Sequence, residues 1–257
     1  FRFRRLASLA DVAPLRAQRL ASLTALPELF VELGVRRSAV YAVETGGVIG
    51  YATALDDTLT EVFLVPEQRT HAGAVLDAAK GALDLHRAWA STFDTLALEA
   101  CTSVSRPSEV LGLSFRTLTL AAIPTPEPLP SERLATLADV DRVGEASHPE
   151  VFDDPDDIDT WVGCGWVTLF EMSGRLAGFG LCTPTGPETP ACDIGVRVCP
   201  PYQRRGLGAW IVQRMAARAK SQGLVPTAGC AVDNVVSRRT LERAGFVADH
   251  RLLQFEL

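Results

Sequence analysis

The chain has 257 residues, 47% of them hydrophobic, and a formal net charge of −6. That is apolar material for one large or two medium cores, and no apolar run is long enough to cross a bilayer as a helix. The acidic balance argues against nucleic acid as the main partner, because a phosphate backbone demands a basic face.

Six cysteines, Cys101, Cys164, Cys182, Cys192, Cys199 and Cys230, form no C-x-x-C pair and have no histidine at zinc spacing. They read as small buried apolar side chains in a reducing compartment, and no metal site is expected. Nothing near Phe1 has the charged-then-apolar order of a signal peptide, so the expected location is cytoplasmic, with no membrane partner.

Taken in order, the elements repeat. Arg5 to Val12 recurs as Arg133 to Val140 with only Ser8 and Thr136 differing, and each copy puts an aspartate, Asp11 or Asp139, at a helix start after a strand. Tyr41 to Tyr51 reads as a β-hairpin turning at Gly46-Gly47, and Trp166 to Phe179 as its later partner turning at Ser173-Gly174. Between the copies, Ala121 to Ser131 carries alternating prolines that favour a stiff connector. The expected organisation is residues 1–123, a linker at 124–131, and residues 132–257.

In the second half, Ser147 to Trp161 is rich in carboxylates. A strand at Asp193 to Cys199 is followed by Gln203-Arg204-Arg205-Gly206-Leu207-Gly208 and then a helix with Leu207, Ile211, Met215 and Ala219 on one stripe and Gly223 as its stop. A strand, a turn with two glycines and a helix N-terminus aim unpaired N–H groups and the positive end of a helix dipole at one point, which is a phosphate cradle. Ala209-Trp210 after the last glycine excludes a P-loop, and G-x-G-x-x-G is absent. Val225 to Val232 reads as another strand, and Asn234 to Phe246 as a helix ending at Gly245.

These segments together resemble the GNAT acyl-CoA-dependent N-acetyltransferases. The cradle is similar to the family's Q/R-x-x-G-x-G/A, Val196 to Tyr202 to its V-x-P-x-Y/F lead-in, and Asn234 to Phe246 to its N-x-x-A-x-x-x-Y-x-x-x-G-F. The resemblance implies an α/β (α+β) chain of two tandem GNAT folds, each a mixed, mostly antiparallel twisted sheet flanked by helices, as mycothiol synthase also has. It further implies acetyl-CoA as co-substrate, held by Val196, Arg197, Val198, Gln203, Arg204, Arg205, Gly206, Leu207, Gly208 and Asn234. Asp193 matches a position where some members carry a catalytic glutamate; the competing reading is a solvated strand-end carboxylate. Leu241 stands where the family often has a tyrosine acid, so no general acid is assigned.

In the first half His71 or Ala72 stands where the first cradle glycine would be, the counterpart of Asn234 falls near Ser105, and Pro107 breaks the helix that should follow. That half is read as a degenerate buttress, making the chain an internal pseudo-dimer that is monomeric or homodimeric. Acceptor selection falls to the acidic segment, with His148, Phe152, Asp153 and Asp154 as candidate contacts for a cationic small-molecule amine; the alternative is a solvated loop whose Asp156 or Asp157 caps a helix. A silent acyl-CoA-binding module and an acetyltransferase of protein N-termini or lysines remain as other readings.

Overall fold

The computed structural model describes residues 1–120, 122–147 and 155–257, with residues 155–157 described by their backbone alone. His148, Phe152, Asp153 and Asp154 lie outside the described residues. The first half contains β1 (Arg2–Arg5), α1 (Ala13–Ser22), α2 (Leu29–Arg37), β2 (Ala39–Glu44), β3 (Val48–Leu55), β4 (Thr58–Leu64), α3 (Ala72–Leu83), β5 (Arg87–Ser91), α4 (Thr95–Val104) and β6 (Pro107–Leu118). The second contains β7 (Ser131–Leu134), α5 (Val140–Ala146), α6 (Pro155–Gly163), β8 (Val167–Met172), β9 (Arg175–Pro184), β10 (Ala191–Val198), α7 (Leu207–Ser221), β11 (Val225–Ala231), α8 (Val235–Ala244) and β12 (Phe246–Glu256).

Local chemistry explains the boundaries. Each repeated segment ends in a capping box: the Asp11 carboxylate accepts from the N–H groups of Ala7 and Ser8, both at 3.0 Å, and Asp139 accepts from Thr136 N–H at 2.9 Å. Such caps satisfy donors that a helix start leaves without intrahelical partners. Ser173 and Gly174, at φ 51° and 74°, make the left-handed pair that a tight β8–β9 hairpin needs. Along α7, Leu207, Ile211, Met215 and Ala219 are all buried.

Among the described residues, 12 strands join one sheet in the order β1-β2-β3-β4-β5-β12-β6-β11-β10-β9-β8-β7. The order is palindromic. Read from either edge it runs through the first five strands of one half and then takes the last strand of the other. β12 pairs antiparallel with β5, β6 pairs antiparallel with β11, and β6 and β12 pair with each other at the centre. The cores follow the exchange: Phe255 of β12 is buried in the first half's core, and Leu113 and Phe115 of β6 in the second's. A division of the sequence between β6 and β7 therefore gives two stretches, each of which hands its final strand to the other.

Two first-half expectations are corrected. The counterpart of Asn234 is Asp94, not a residue near Ser105: Asn234 caps α8 by accepting from Ser237 N–H at 2.9 Å, and Asp94 caps α4 by accepting from Ala97 N–H at 3.1 Å. Pro107 breaks no helix, because it opens β6, where a fixed φ and a missing donor are tolerated.

Candidate active site

In the second half, β10 and β11 run parallel and pair only from Ala191↔Val225 to Asp193↔Thr227. Beyond that rung they part. β10 continues with β9 as far as Val198↔Gly178, while β11 turns its pairing to β6 from Ala228↔Phe115. The gap leaves the facing backbone edges of Ile194 to Val198 and Ala228 to Ala231 without each other, and Asp193 marks its closed end.

At the open end lies the glycine turn. Gly206 is the N-cap of α7 at φ 84°, and Arg204 at φ 61° is also left-handed. Successive turns of this kind point N–H groups inward as an anion nest, with the helix dipole behind them. An ideal Cβ on Gly206 would lie 3.5 Å from Arg243 Nη2, which places a guanidinium beside the nest. Gln203 Nε2 donates to Val198 C=O at 2.9 Å and braces the turn on β10. The matching first-half stretch, Pro66–His71, is a 3-10 helix running straight into α3 with no left-handed residue. Geometry and residue types thus fit a pyrophosphate in the second half only.

The predicted residues divide by face. Val196 and Val198 pack on the core under α7, with Val196 also reaching the cavity wall. Arg197 points the other way, where its Nε donates to Ala146 C=O at 3.1 Å and fixes the end of α5. Gln203, Arg204 and Arg205 are exposed at the turn, whereas Leu207 is buried beneath it and Gly208 packs near Thr240. Leu241 is 2% exposed and faces both core and cavity.

Between the halves, against the gap, is a cavity of about 590 Å³. Asp193, Gly195 and Val196 line it from β10, Gly229 and Cys230 from β11, Ser237 and Leu241 from α8, and Trp161 from α6. The opposite wall comes from the first half: Glu28, Phe30 and Leu33 around α2, Trp89 on β5 and Leu111 on β6. Burial, reinforced by the charge of Glu28 and opposed by Arg116, pushes the Asp193 carboxyl up to about 7. Glu28, 6% exposed, is also raised by burial, against the pull of Arg116 and a hydrogen bond from the Ser114 hydroxyl.

Glu28 was not singled out in the sequence. It precedes a helix like any polar N-cap, and the residues that give it meaning, Ser114 and Gly229, are far away in the chain. Four of the six cysteines are buried, as expected; Cys164 is exposed and Cys230 forms part of the cavity wall. Among the described residues, no cluster of His, Cys, Asp and Glu could hold a metal ion, and no helix is long and apolar enough to cross a membrane.

Where the first half should open a similar gap, it is filled with charge. Arg19 meets Glu61 at 2.8 Å and Asp94 at 2.7 Å, Arg16 pairs with Glu32, and the Tyr51 hydroxyl donates to Glu61, all buried. Glu188 from the second half closes the rim on Arg16 at 3.4 Å.

A sheet opened between parallel strands, with an anion nest on the adjoining helix, is the arrangement expected from the resemblance to acyl-CoA-dependent acetyltransferases. Family comparison agrees: the acetyltransferase (GNAT) family model matches residues 132–246 and an acetyltransferase (GNAT) domain model matches residues 8–117. The chain belongs to the GNAT acetyltransferases, in tandem form. Among solved structures, an acetyltransferase from the GNAT family of Colwellia psychrerythraea is 17% identical over all of both chains, with a TM-score of 0.88. A tandem GNAT protein from the clavulanic acid biosynthesis pathway is 17% identical over 100% of this chain and 98% of that one, at 0.65. A GCN5-related N-acetyltransferase from Sphaerobacter thermophilus is 18% identical over 99% and 95%, at 0.62. At these identities the likeness concerns the fold. No curated protein sequence matches the chain.

Proposed function

We propose that this protein transfers the acetyl group of acetyl-CoA to the primary amine of a small molecule, with the thioester held by the second half and Asp193 as the base. The observation that carries the reading is Asp193 itself: a carboxyl at the closed end of the gap, on the cavity wall, whose proton affinity has been raised to about 7. A base of that strength is half ionised near neutral pH, where it can take a proton from an ammonium without holding it too tightly.

The N–H groups from Arg204 to Gly208 would hold the pyrophosphate, with Arg243 adding charge, and the free edge around Val196 and Val198 would bond the pantetheine arm as a neighbouring strand does. Asp193 takes one proton from the ammonium, the freed nitrogen lone pair forms the N–C bond to the acetyl carbonyl carbon, and the C–S bond breaks with its electron pair staying on sulfur. The proton that then leaves nitrogen balances the thiolate. Leu241 supplies no acid, and a thiolate near neutral pH needs little help to leave. The first-half wall of the cavity favours a small acceptor over a protein segment. His148, Phe152, Asp153 and Asp154 remain candidate acceptor contacts, and Asn234, besides capping α8, a candidate cofactor contact.

Calorimetry with coenzyme A should give one site per chain, and an amine panel with acetyl-CoA should release thiol in proportion to acetylated amine. Coenzyme A binding with no thiol release from any amine would leave the silent module as the better reading.

A further inference from the structure

We infer that the acceptor is an apolar primary amine lacking an anionic group, seated between the halves with its ammonium against Asp193 and Glu28 and its hydrocarbon body on Phe30, Leu33 and Trp89. This rests on the acetyl transfer proposed above and narrows its substrate.

Charge sets the first limit. The cavity wall carries two carboxylates, and among its described lining residues there is no Lys, Arg or His. Arg116, the cation behind Glu28, donates through Nε and Nη1 to Leu26 C=O at 2.7 Å, Ala228 C=O at 2.9 Å and Phe115 C=O at 3.1 Å, and its Nη2 faces Glu28 Oε2 at 3.6 Å, so its charge is already matched by Glu28. A carboxylate or phosphate on the acceptor would meet two acids and no free counter-charge in a site of low dielectric, whereas an ammonium is matched.

Glu28 is placed for this from outside the half that holds the nest. Its Oε2 is bound by the Ser114 hydroxyl, and its Oε1 lies where a methyl group on Gly229 would be 2.4 Å away. β11 thus gives up a side chain at the gap so that the carboxylate of the residue capping α2 can stand there.

Hydrophobicity sets the second limit. Phe30, Leu33, Trp89, Leu111 and Leu252 form the wall, and the Phe30 and Trp89 rings lie 5.3 Å apart. Phe30 is 52% exposed, a large aromatic at the cavity that the fold itself does not cover. Among the described lining residues the neutral polar groups on side chains are those of Ser237 and Gln254, the Trp89 and Trp161 indole N–H groups and the Cys230 thiol, too few to pair the several hydroxyls of an amino sugar.

The test compares 2-phenylethylamine with phenylalanine, which adds only a carboxylate, and with glucosamine. We expect kcat/KM for 2-phenylethylamine to exceed both by about a hundredfold or more, and Phe30→Ser, at a half-exposed position, to raise its KM by about tenfold while changing kcat less. Trp89→Ala should act in the same direction. Equal or better turnover of phenylalanine or glucosamine, or an unchanged KM in Phe30→Ser, would overturn the inference. Should no amine be acetylated, ligand-observed NMR of 2-phenylethylamine with the coenzyme A-loaded protein decides separately. Binding lost in Phe30→Ser would keep the pocket assignment while the transfer reading fails, and absence of binding would end both.

Discussion

Replacing Asp193 with asparagine should lower activity and raise stability together. In the folded chain the carboxyl titrates at about 7 instead of the ordinary 3.8, mainly because it is buried. Below about pH 3 it is largely protonated whether the chain is folded or not and has little effect. As pH rises towards 7 the unfolded chain ionises freely and the folded chain resists, so stability is lost through that window and the loss is complete by about pH 8. The shift corresponds to roughly 4 kcal/mol, and because the group borders a cavity that admits water, about 2–4 kcal/mol is the range to test. Asp193→Asn should therefore melt roughly 5–15 °C higher near pH 8, with the gain shrinking as pH is lowered. Turnover should fall by about a hundredfold or more with coenzyme A affinity retained, and the rise of kcat/KM through about pH 7 should disappear. Urea or thermal unfolding across pH, beside a pH–rate profile, measures both. A variant that keeps the pH-dependent limb, or that is less stable than the parent near pH 8, refutes the assignment of Asp193 as a strained base.

Gly206→Asp should abolish coenzyme A binding in calorimetry, since φ 84° disfavours any side chain and the new carboxylate would engage Arg243 in place of phosphate; Arg243→Ala should weaken binding by about tenfold, as loss of a charge-assisted bond does. Arg19→Met should cost about 3–5 kcal/mol in urea unfolding by leaving Glu61 and Asp94 without their shared partner, and unchanged stability would refute the reading of this cluster as a paired network. Residues 1–123 expressed alone should aggregate or unfold, because β5 and β6 lose β12 from between them; a monodisperse, cooperatively folded fragment would contradict the exchange.

The turn that forms the candidate nest was legible because it is built from contiguous residues. The nest from Gln203 to Gly208 needs only a local turn and a helix start, and the Ser173-Gly174 hairpin and the helix starts at Asp11 and Asp139 are equally local. What was hidden depends on distance. A strand's sequence records which residues face a core but not whose core, so nothing in Phe246–Glu256 announces that Phe255 packs in the other half. Glu28 reads as an ordinary polar residue before a helix until Gly229 and Ser114 are seen around it. The counterpart of Asn234 is Asp94 and not a residue near Ser105 because the N-cap position, which Asp and Asn fill equally well, is fixed by where β5 ends.

The exchanged strands also govern how the molecule behaves on dilution. Two separate subunits joined across such a sheet would come apart below their dissociation constant and lose both sites together. Here the partner is tethered, its local concentration is fixed by the chain, and the cavity wall supplied by α2 and Trp89 should persist at any protein concentration. Each position can also change once without changing its mirror image. That freedom let one gap fill with arginines and carboxylates while the other stayed open, an outcome that identical subunits cannot reach.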